Sequence, residues 1–190
     1  MMILPFCFCS LLLAFACIDG RWMNSNIGPY IPVFLKFREC AIGENGYDGS
    51  SRYVITFTRF NPYKRNELQK SSTNYTFSQP LNDSYWQRLV FDLWSNNEWK
   101  PNALILNYPS KSCSMMKRNR GKYFANVFKE DVSGGCVVPN GSYHILNHDP
   151  RMLSFPQLPY GRYRVLLTNG LPWRKGCMLC AYLETDIIPE

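Results

Sequence analysis

The sequence is poor in the residues that catalysis most often uses. It has 2 histidines and 14 acidic residues among 190, and the carboxylates are scattered without a pair suited to glycoside hydrolysis. It lacks the Gly-x-Ser-x-Gly elbow of serine hydrolases and the glycine-rich loops that cradle phosphates. We therefore predict no catalytic residues, no cofactor and no enzymatic function.

The two histidines, His144 and His148, stand four residues apart. On a helix this spacing would bring both rings to one face and suit a metal ion. The segment alternates like a strand, however, and in a strand the two would share a face more than about 12 Å apart. The sequence therefore predicts no metal site.

No apolar run in the chain reaches the roughly 20 residues that a membrane-spanning helix needs. The longest run covers residues 1–16, has no charged side chain and ends in Ala14-Phe15-Ala16. Such a run followed by small residues is typical of a secretory signal peptide. We predict cleavage after Ala16, with Gly20 as the alternative, and a single extracellular domain over residues 17–190.

Cysteine usage agrees with an oxidising compartment. Cys7 and Cys9 lie in the leader, and the other six of the eight cysteines indicate disulfide stabilisation, although spacing cannot fix their connectivity. Cys177 and Cys180 have the spacing of a redox or zinc pair. No second pair accompanies them, and residues three apart in a strand point to opposite faces. We interpret them as parts of two separate bridges, or as one bridge and one buried thiol.

Glycosylation motifs and charge also bear on the compartment and partners. Three sequons begin at Asn74, Asn82 and Asn140. The formal net charge of +7 suggests acidic partners such as anionic lipid headgroups, glycans or nucleic acid. The basic residues are spread along the chain, and their local cluster at 117–122 is short. We interpret that cluster as a solvated loop and predict no nucleic-acid binding.

Apolar residues recur mostly with period two, which predicts half-buried strands. The predicted strands cover residues 53–60, 88–94, 103–108, 142–146, 163–168 and 178–188. A helical pattern occurs within 111–130, where Phe124 and Phe128 stand four apart, and we expect one short helix beginning near Lys122. These elements predict a mainly β, single-domain cup or sandwich rather than an α/β fold.

Aromatic residues make up 15% of the chain. Core filling is the ordinary explanation for any one of them. Strands that are apolar on both faces must bury both, however, so one face can line a cavity, with basic groups at its rim suited to a lipid or an acidic amphiphile. The predicted cavity residues are Phe57, Leu89, Phe91, Leu93, Trp94, Leu104, Leu106, Tyr163 and Val165.

Three motifs occur in order in the C-terminal third: residues 135–143 (GCVVPNGSY), 158–165 (LPYGRYRV) and 176–183 (GCMLCAYL). This order resembles the ganglioside activator family and, more closely in layout, the related insect chemosensory A/B proteins. The resemblance implies a β-cup with a lipid-sized cavity. It also implies disulfides from Cys40 to Cys177 and from Cys113 to Cys136.

The resemblance further implies a secreted, non-enzymatic binder of a lipid or other hydrophobic small molecule that takes part in chemosensory, pheromone-related perception. We expect a monomer that works with a membrane receptor. The alternative is a secreted protein-interaction module or receptor accessory, which would have a filled core. A third hypothesis, an unrecognised hydrolase, requires a reachable cluster of carboxylates or histidines with perturbed pKa values.

Overall fold

The computed structural model describes residues 28–65, 67–128, 135–149 and 158–190. Within these ranges the chain forms ten strands, one α-helix and a short 3-10 turn at Glu44–Gly46. The elements are β1 (Tyr30–Glu39), β2 (Arg52–Phe57), β3 (Ser71–Phe77), β4 (Leu81–Asn82), β5 (Trp86–Ser95), β6 (Glu98–Tyr108), α1 (Ser112–Phe128), β7 (Val137–Val138), β8 (Gly141–His148), β9 (Gly161–Gly170) and β10 (Leu179–Pro189). The predicted leader, its cleavage site and Cys17 lie outside the described residues.

The strands form three antiparallel sheets. The largest has the order β1-β10-β9-β5-β6, the second has the order β2-β3-β8, and β4 pairs with β7. The first two sheets face each other as the layers of a disulfide-stabilised β-sandwich in one domain. The prediction of a mainly β, disulfide-stabilised single domain is therefore confirmed.

The smaller sheet buries one face, as the period-two pattern predicts. Tyr53 and Ile55 of β2 are buried, and the ring of Tyr53 stacks on that of Tyr75 in β3 with centroids 4.7 Å apart. The outer face is open to solvent, with Val54 36% exposed. The expectation that predicted strands bury both faces is therefore wrong for β2.

Helix α1 covers one end of this sandwich. Phe124 is fully buried, and Phe128 packs edge-on against Tyr143 of β8 with ring centroids 5.0 Å apart. The helix begins ten residues before the predicted start near Lys122, so the basic cluster at 117–122 is helical and its interpretation as a loop is wrong. Its first turn is capped from a distant turn, because Asp83 Oδ1 accepts a hydrogen bond from the Ser114 N–H at 2.8 Å.

Strand β1 is an edge strand that the periodicity did not predict. It contains Pro32, which an edge tolerates, and a bulge at Leu35 interrupts its alternation. The amide of Gln69 lies against it. The Phe34 N–H donates to Gln69 Oε1 at 2.7 Å, and Gln69 Nε2 donates to the Phe34 carbonyl at 2.9 Å and to the Thr58 carbonyl at 2.8 Å.

One of the two implied disulfides is wrong and the other is present. Cys113 is bonded to Cys136, but Cys40 is bonded to Cys180 rather than to Cys177. Cys180 lies within β10, where its carbonyl accepts a hydrogen bond from the Cys40 N–H at 3.1 Å. Cys177 precedes the strand and keeps a buried free thiol. The interpretation as one bridge and one buried thiol describes this pair.

The two histidines lie on opposite faces of β8, so the expectation of a shared face is wrong. Asn147 has a φ of 53° in the left-handed region, and the register of β8 against β3 shifts there. His144 is exposed beside Asn74 on the outer face, whereas His148 pairs with the buried Ser71. The bulge therefore separates the two rings.

Candidate functional site

A cavity of about 360 Å³ lies in the interior between the two sheets and helix α1. Its walls are mostly apolar and come from the inner faces of both sheets and one side of the helix. The lining residues are Phe37, Tyr53, Tyr75, Phe77, Leu81, Gln87, Leu89, Phe91, Leu106, Tyr108, Met115, Met116, Arg118, Asn119, Val165, Leu167, Asn169, Leu179, Ala181 and Leu183. Inward positions of β5, β6, β9 and β10 therefore form one continuous wall.

Four of the nine predicted cavity residues line it. They are Leu89, Phe91, Leu106 and Val165, which lie at inward positions of three neighbouring strands. Phe91 is fully buried within this wall. Alternation on β5, β6 and β9 predicted these positions because residues two apart share a face.

The other five predicted residues lie elsewhere. Leu93, Leu104 and Tyr163 belong to a packed cluster at the far end of the same sheet. Phe57 stacks on Phe34 with ring centroids 4.7 Å apart, outside the cavity. Trp94 is 38% exposed near the β5–β6 turn and packs edge-on against Trp99. The prediction that these five residues line the cavity is wrong. Alternation shows which face of a strand points inward, but it does not show which element packs against that face.

The helix supplies lining residues that sequence reasoning missed. Met115 and Met116 project into the cavity from the first half of α1. Flexible thioether side chains adapt to irregular spaces, and methionines are common where a surface accepts varied apolar partners. The Met115-Met116 pair is visible in the sequence, but the sequence does not show that the helix lies over the sheet. The pair therefore could not be predicted to line a cavity.

Three neutral polar side chains lie at the end of the cavity beside the first turn of α1. Asn169 Nδ2 donates to Ser112 Oγ at 2.7 Å, and the Ser112 hydroxyl donates to Gln87 Oε1 at 3.1 Å. Ser112 is fully buried and Asn169 is 9% exposed. The three side chains satisfy one another in a relay, which ties the helix to β5 and β9.

Arg118 is the charged residue among the side chains that line the cavity. It lies on α1 one turn beyond Met115 and is exposed at the cavity margin. Its guanidinium donates to Met115 Sδ at 3.2 Å, and a thioether is only a weak acceptor. The margin therefore presents a positive charge beside an apolar interior.

A compact cluster covers the outer face of the large sheet behind the cavity. It comprises Cys40, Tyr47, Cys177 and Cys180. The loop that carries Tyr47 docks through the Cys177 N–H, which donates to the Gly46 carbonyl at 2.9 Å. Gly176, with a φ of 85°, is required there because a Cβ would collide with Gly46.

The free thiol within this cluster is not an activated nucleophile. The Cys177 thiol donates a hydrogen bond to the Asn45 carbonyl at 3.5 Å, and the residue is 2% exposed. Burial, followed by the nearby Asp48 charge, raises the pKa of Cys177 to about 11. The thiol therefore stays protonated at neutral pH, which is the opposite of what catalysis requires.

Two other groupings resemble catalytic or metal sites in geometry alone. Ser71 Oγ lies 2.7 Å from His148 Nε2, but Ser71 is 1% exposed and neither residue lines the cavity. Asp83, Cys113 and Cys136 also lie together. The two sulfurs are bonded to each other, so they offer no thiolate, and Asp83 caps α1. We assign a structural role to both groupings.

The three sequon asparagines lie at the surface of the smaller sheets. Asn74 on β3 and Asn140 before β8 are exposed. Asn82 on β4 is half-buried, and its Oδ1 accepts a hydrogen bond from the Ser84 N–H at 2.9 Å. Glycosylation at these residues stays a prediction.

No helix within the described ranges combines the length and apolar character needed to cross a bilayer.

None of the protein-family models matches the sequence, and no significant match exists among the curated proteins. The resemblance to the ganglioside activator family and the insect chemosensory A/B proteins therefore stays a prediction, which the three C-terminal motifs carry.

Proposed function

We propose that this protein binds the apolar part of a lipid or another hydrophobic small molecule in the cavity between its sheets, without catalysis. The observation that carries the proposal is the cavity itself, which is lined by aliphatic, aromatic and methionine side chains between the two sheets. A protein-interaction module, the competing hypothesis, would use a filled interior.

The size of the cavity suits one modest apolar group. Its volume of about 360 Å³ lies near the lower end of the roughly 300–1,000 Å³ range of small-molecule sites. Each methylene buried there contributes about 0.8 kcal/mol before ordering costs. Affinity would thus grow with chain length until the cavity is full, and discrimination between neighbouring lengths would be weak.

We further propose that the protein acts outside the cell and contributes to detection of hydrophobic cues such as pheromones. The disulfides Cys40–Cys180 and Cys113–Cys136 support an oxidising compartment. The apolar leader and the three sequons in the sequence support export. The chemosensory role rests on the family resemblance, with a membrane receptor as the expected partner.

The test compares two adjacent residues on β6. Leu106 lines the cavity, whereas Ile105 points to the outer face and is 42% exposed. Leu106→Trp should fill the cavity, and Ile105→Trp should add the same bulk to the surface. We would secrete wild type and both variants from eukaryotic cells, then measure co-purifying lipid by native mass spectrometry and uptake of dodecanol by displacement of N-phenyl-1-naphthylamine.

We expect wild type and Ile105→Trp to bind dodecanol alike, and Leu106→Trp to bind at least about tenfold more weakly because the site is occupied. Circular dichroism would confirm that both variants are folded. The proposal would be overturned if the wild type carried no co-purifying lipid and did not bind dodecanol. Equal affinity of the two variants for dodecanol would also overturn it.

A further inference from the structure

The side chains around the cavity are asymmetric in charge. Among the described residues that line it, Arg118 is cationic, and no Asp or Glu occurs. Polar lining at the other end, from Gln87 and Asn169, is neutral and already hydrogen-bonded to Ser112. A ligand with a charged group would therefore be recognised through the charge of Arg118.

The position of Arg118 places its charge beside the apolar wall. Ser112, Met115 and Arg118 follow one another along α1 at intervals of about one turn, or roughly 5 Å. The helix thus runs from the neutral relay, past the methionines, to the guanidinium at the exposed margin. An amphiphile needs this order of surfaces, with apolar lining inside and a charged group at the water boundary.

The immediate partner of Arg118 does not neutralise it. The hydrogen bond from its guanidinium goes to Met115 Sδ at 3.2 Å, which holds the side chain over the cavity lining without cancelling charge. Elsewhere on the domain arginines pair with carboxylates, as Arg162 does with Asp186 and Arg164 with Asp92. The Arg118 guanidinium can therefore bind anionic oxygens, which it matches with two parallel donors.

We propose that the ligand is an anionic amphiphile, whose carboxylate or phosphate oxygens bind Arg118 while its hydrocarbon part lies between the sheets. This inference rests on the proposed function. It adds that the protein distinguishes ligands by headgroup charge and that Arg118 determines the preference. Cationic amphiphiles of the same length are disfavoured by repulsion, and neutral ones lack the contact.

The experiment uses ligands that share one chain and differ in headgroup. Dodecanoate, dodecyl phosphate, dodecanol and dodecyltrimethylammonium would compete against N-phenyl-1-naphthylamine, a neutral probe, on the full mature protein. The variants are Arg118→Gln, Arg118→Lys and the control Arg88→Gln. Arg88 is exposed on β5 and does not line the cavity, so its replacement removes the same net charge elsewhere.

Wild type should bind at least one anion about tenfold more tightly than dodecanol, as expected for a partly solvated charged hydrogen bond. Arg118→Gln should remove that preference without changing dodecanol binding, Arg118→Lys should keep part of it, and Arg88→Gln should keep all of it. Whichever of the two anions binds more tightly then identifies the preferred headgroup, carboxylate or phosphate.

Three results would overturn the inference. They are a wild type without preference for an anion, a preference that survives Arg118→Gln, or an equal loss in Arg88→Gln, which would assign it to net charge. In each of these cases binding of dodecanol would leave the proposed function standing. If folded wild type bound neither the probe nor any of the four ligands, the proposed function itself would fail.

Discussion

The inner face of the five-stranded sheet has two ends that look alike in sequence and differ in structure. We call the end near the β5–β6 turn the closed end, defined by Leu93, Leu104, Leu158, Tyr163 and Ile187. The open end lies near the start of β5 and is defined by Leu89, Leu106, Leu167 and Ala181. Leu93, Leu104, Leu89 and Leu106 are all half-buried and pack against one buried cluster, but of these four Leu89 and Leu106 also line the cavity.

The difference comes from what lies opposite each end. At the closed end Leu158, which precedes β9, is 3% exposed and packs onto the sheet with Tyr160 beside it. At the open end the opposing surfaces are α1 and the smaller sheet, which leave a space. Alternation therefore identifies the face of a strand that is buried, whereas long-range topology decides whether that face is core or cavity.

The largest expected effect comes from the disulfide behind the open end. Cys40 and Cys180 are separated by 140 residues, so loop-closure entropy predicts that the double variant Cys40→Ala/Cys180→Ala loses about 2–5 kcal/mol of unfolding free energy. Urea denaturation measures this loss. The matched double variant at Cys113 and Cys136, with a separation of 23 residues, should lose less. Equal losses would contradict the entropic argument.

A smaller effect distinguishes the two ends directly. Leu93 and Leu89 lie on the same face of β5, four residues apart, one at each end. Leu93→Ala should cost about 2 kcal/mol because Leu93 packs against the buried cluster and does not line the cavity. Leu89→Ala should cost about half as much, because its side chain already borders the cavity. Unfolding in urea gives both values, and equal costs would erase the distinction.

A third effect, which depends on pH, concerns the buried thiol behind the open end. An unfolded Cys has a pKa of about 8.5, and burial raises the pKa of Cys177 to about 11. Below the lower value both states are protonated. Between the two values the unfolded chain loses its proton and the folded chain keeps it, so stability falls as pH rises.

The check is the difference in urea midpoint between wild type and Cys177→Ala, followed from neutral to alkaline pH. Tyrosine ionisation affects both proteins alike and drops out of the difference. Wild type should lose stability relative to the variant as pH rises toward 11. Parallel curves would show that the thiol is not desolvated in the folded state.

The parts of the fold that sequence predicted are those with local apolar alternation. Strands β5, β6, β8, β9 and β10 were found in this way, and so was the inward face of β2. Strand β3 was missed because its first inward positions, Ser71 and Thr73, are polar although both are 1% exposed. Its burial depends on neighbours in the sheet, which period-two reasoning on hydrophobicity cannot see.

Long-range features account for most of the remaining misses. The start of α1 depends on Asp83, which is about thirty residues away in sequence and outside any helical signal. The choice of Cys180 over Cys177 depends on the register of β10 against β1. The cavity residues on α1 became visible only when Ser112–Phe128 was placed over the sheet.

The amide of Gln69 has a consequence for how this molecule behaves at high concentration. An edge strand such as β1 is a template on which a strand of another chain can add, a route to aggregation. Gln69 binds both backbone groups of Phe34 in the way that an incoming peptide would. With the bulge at Leu35 and the charge of Lys36 beside it, this side chain occupies one pair of backbone groups on the free edge of β1, so we expect it to hinder the addition of a strand from a second copy.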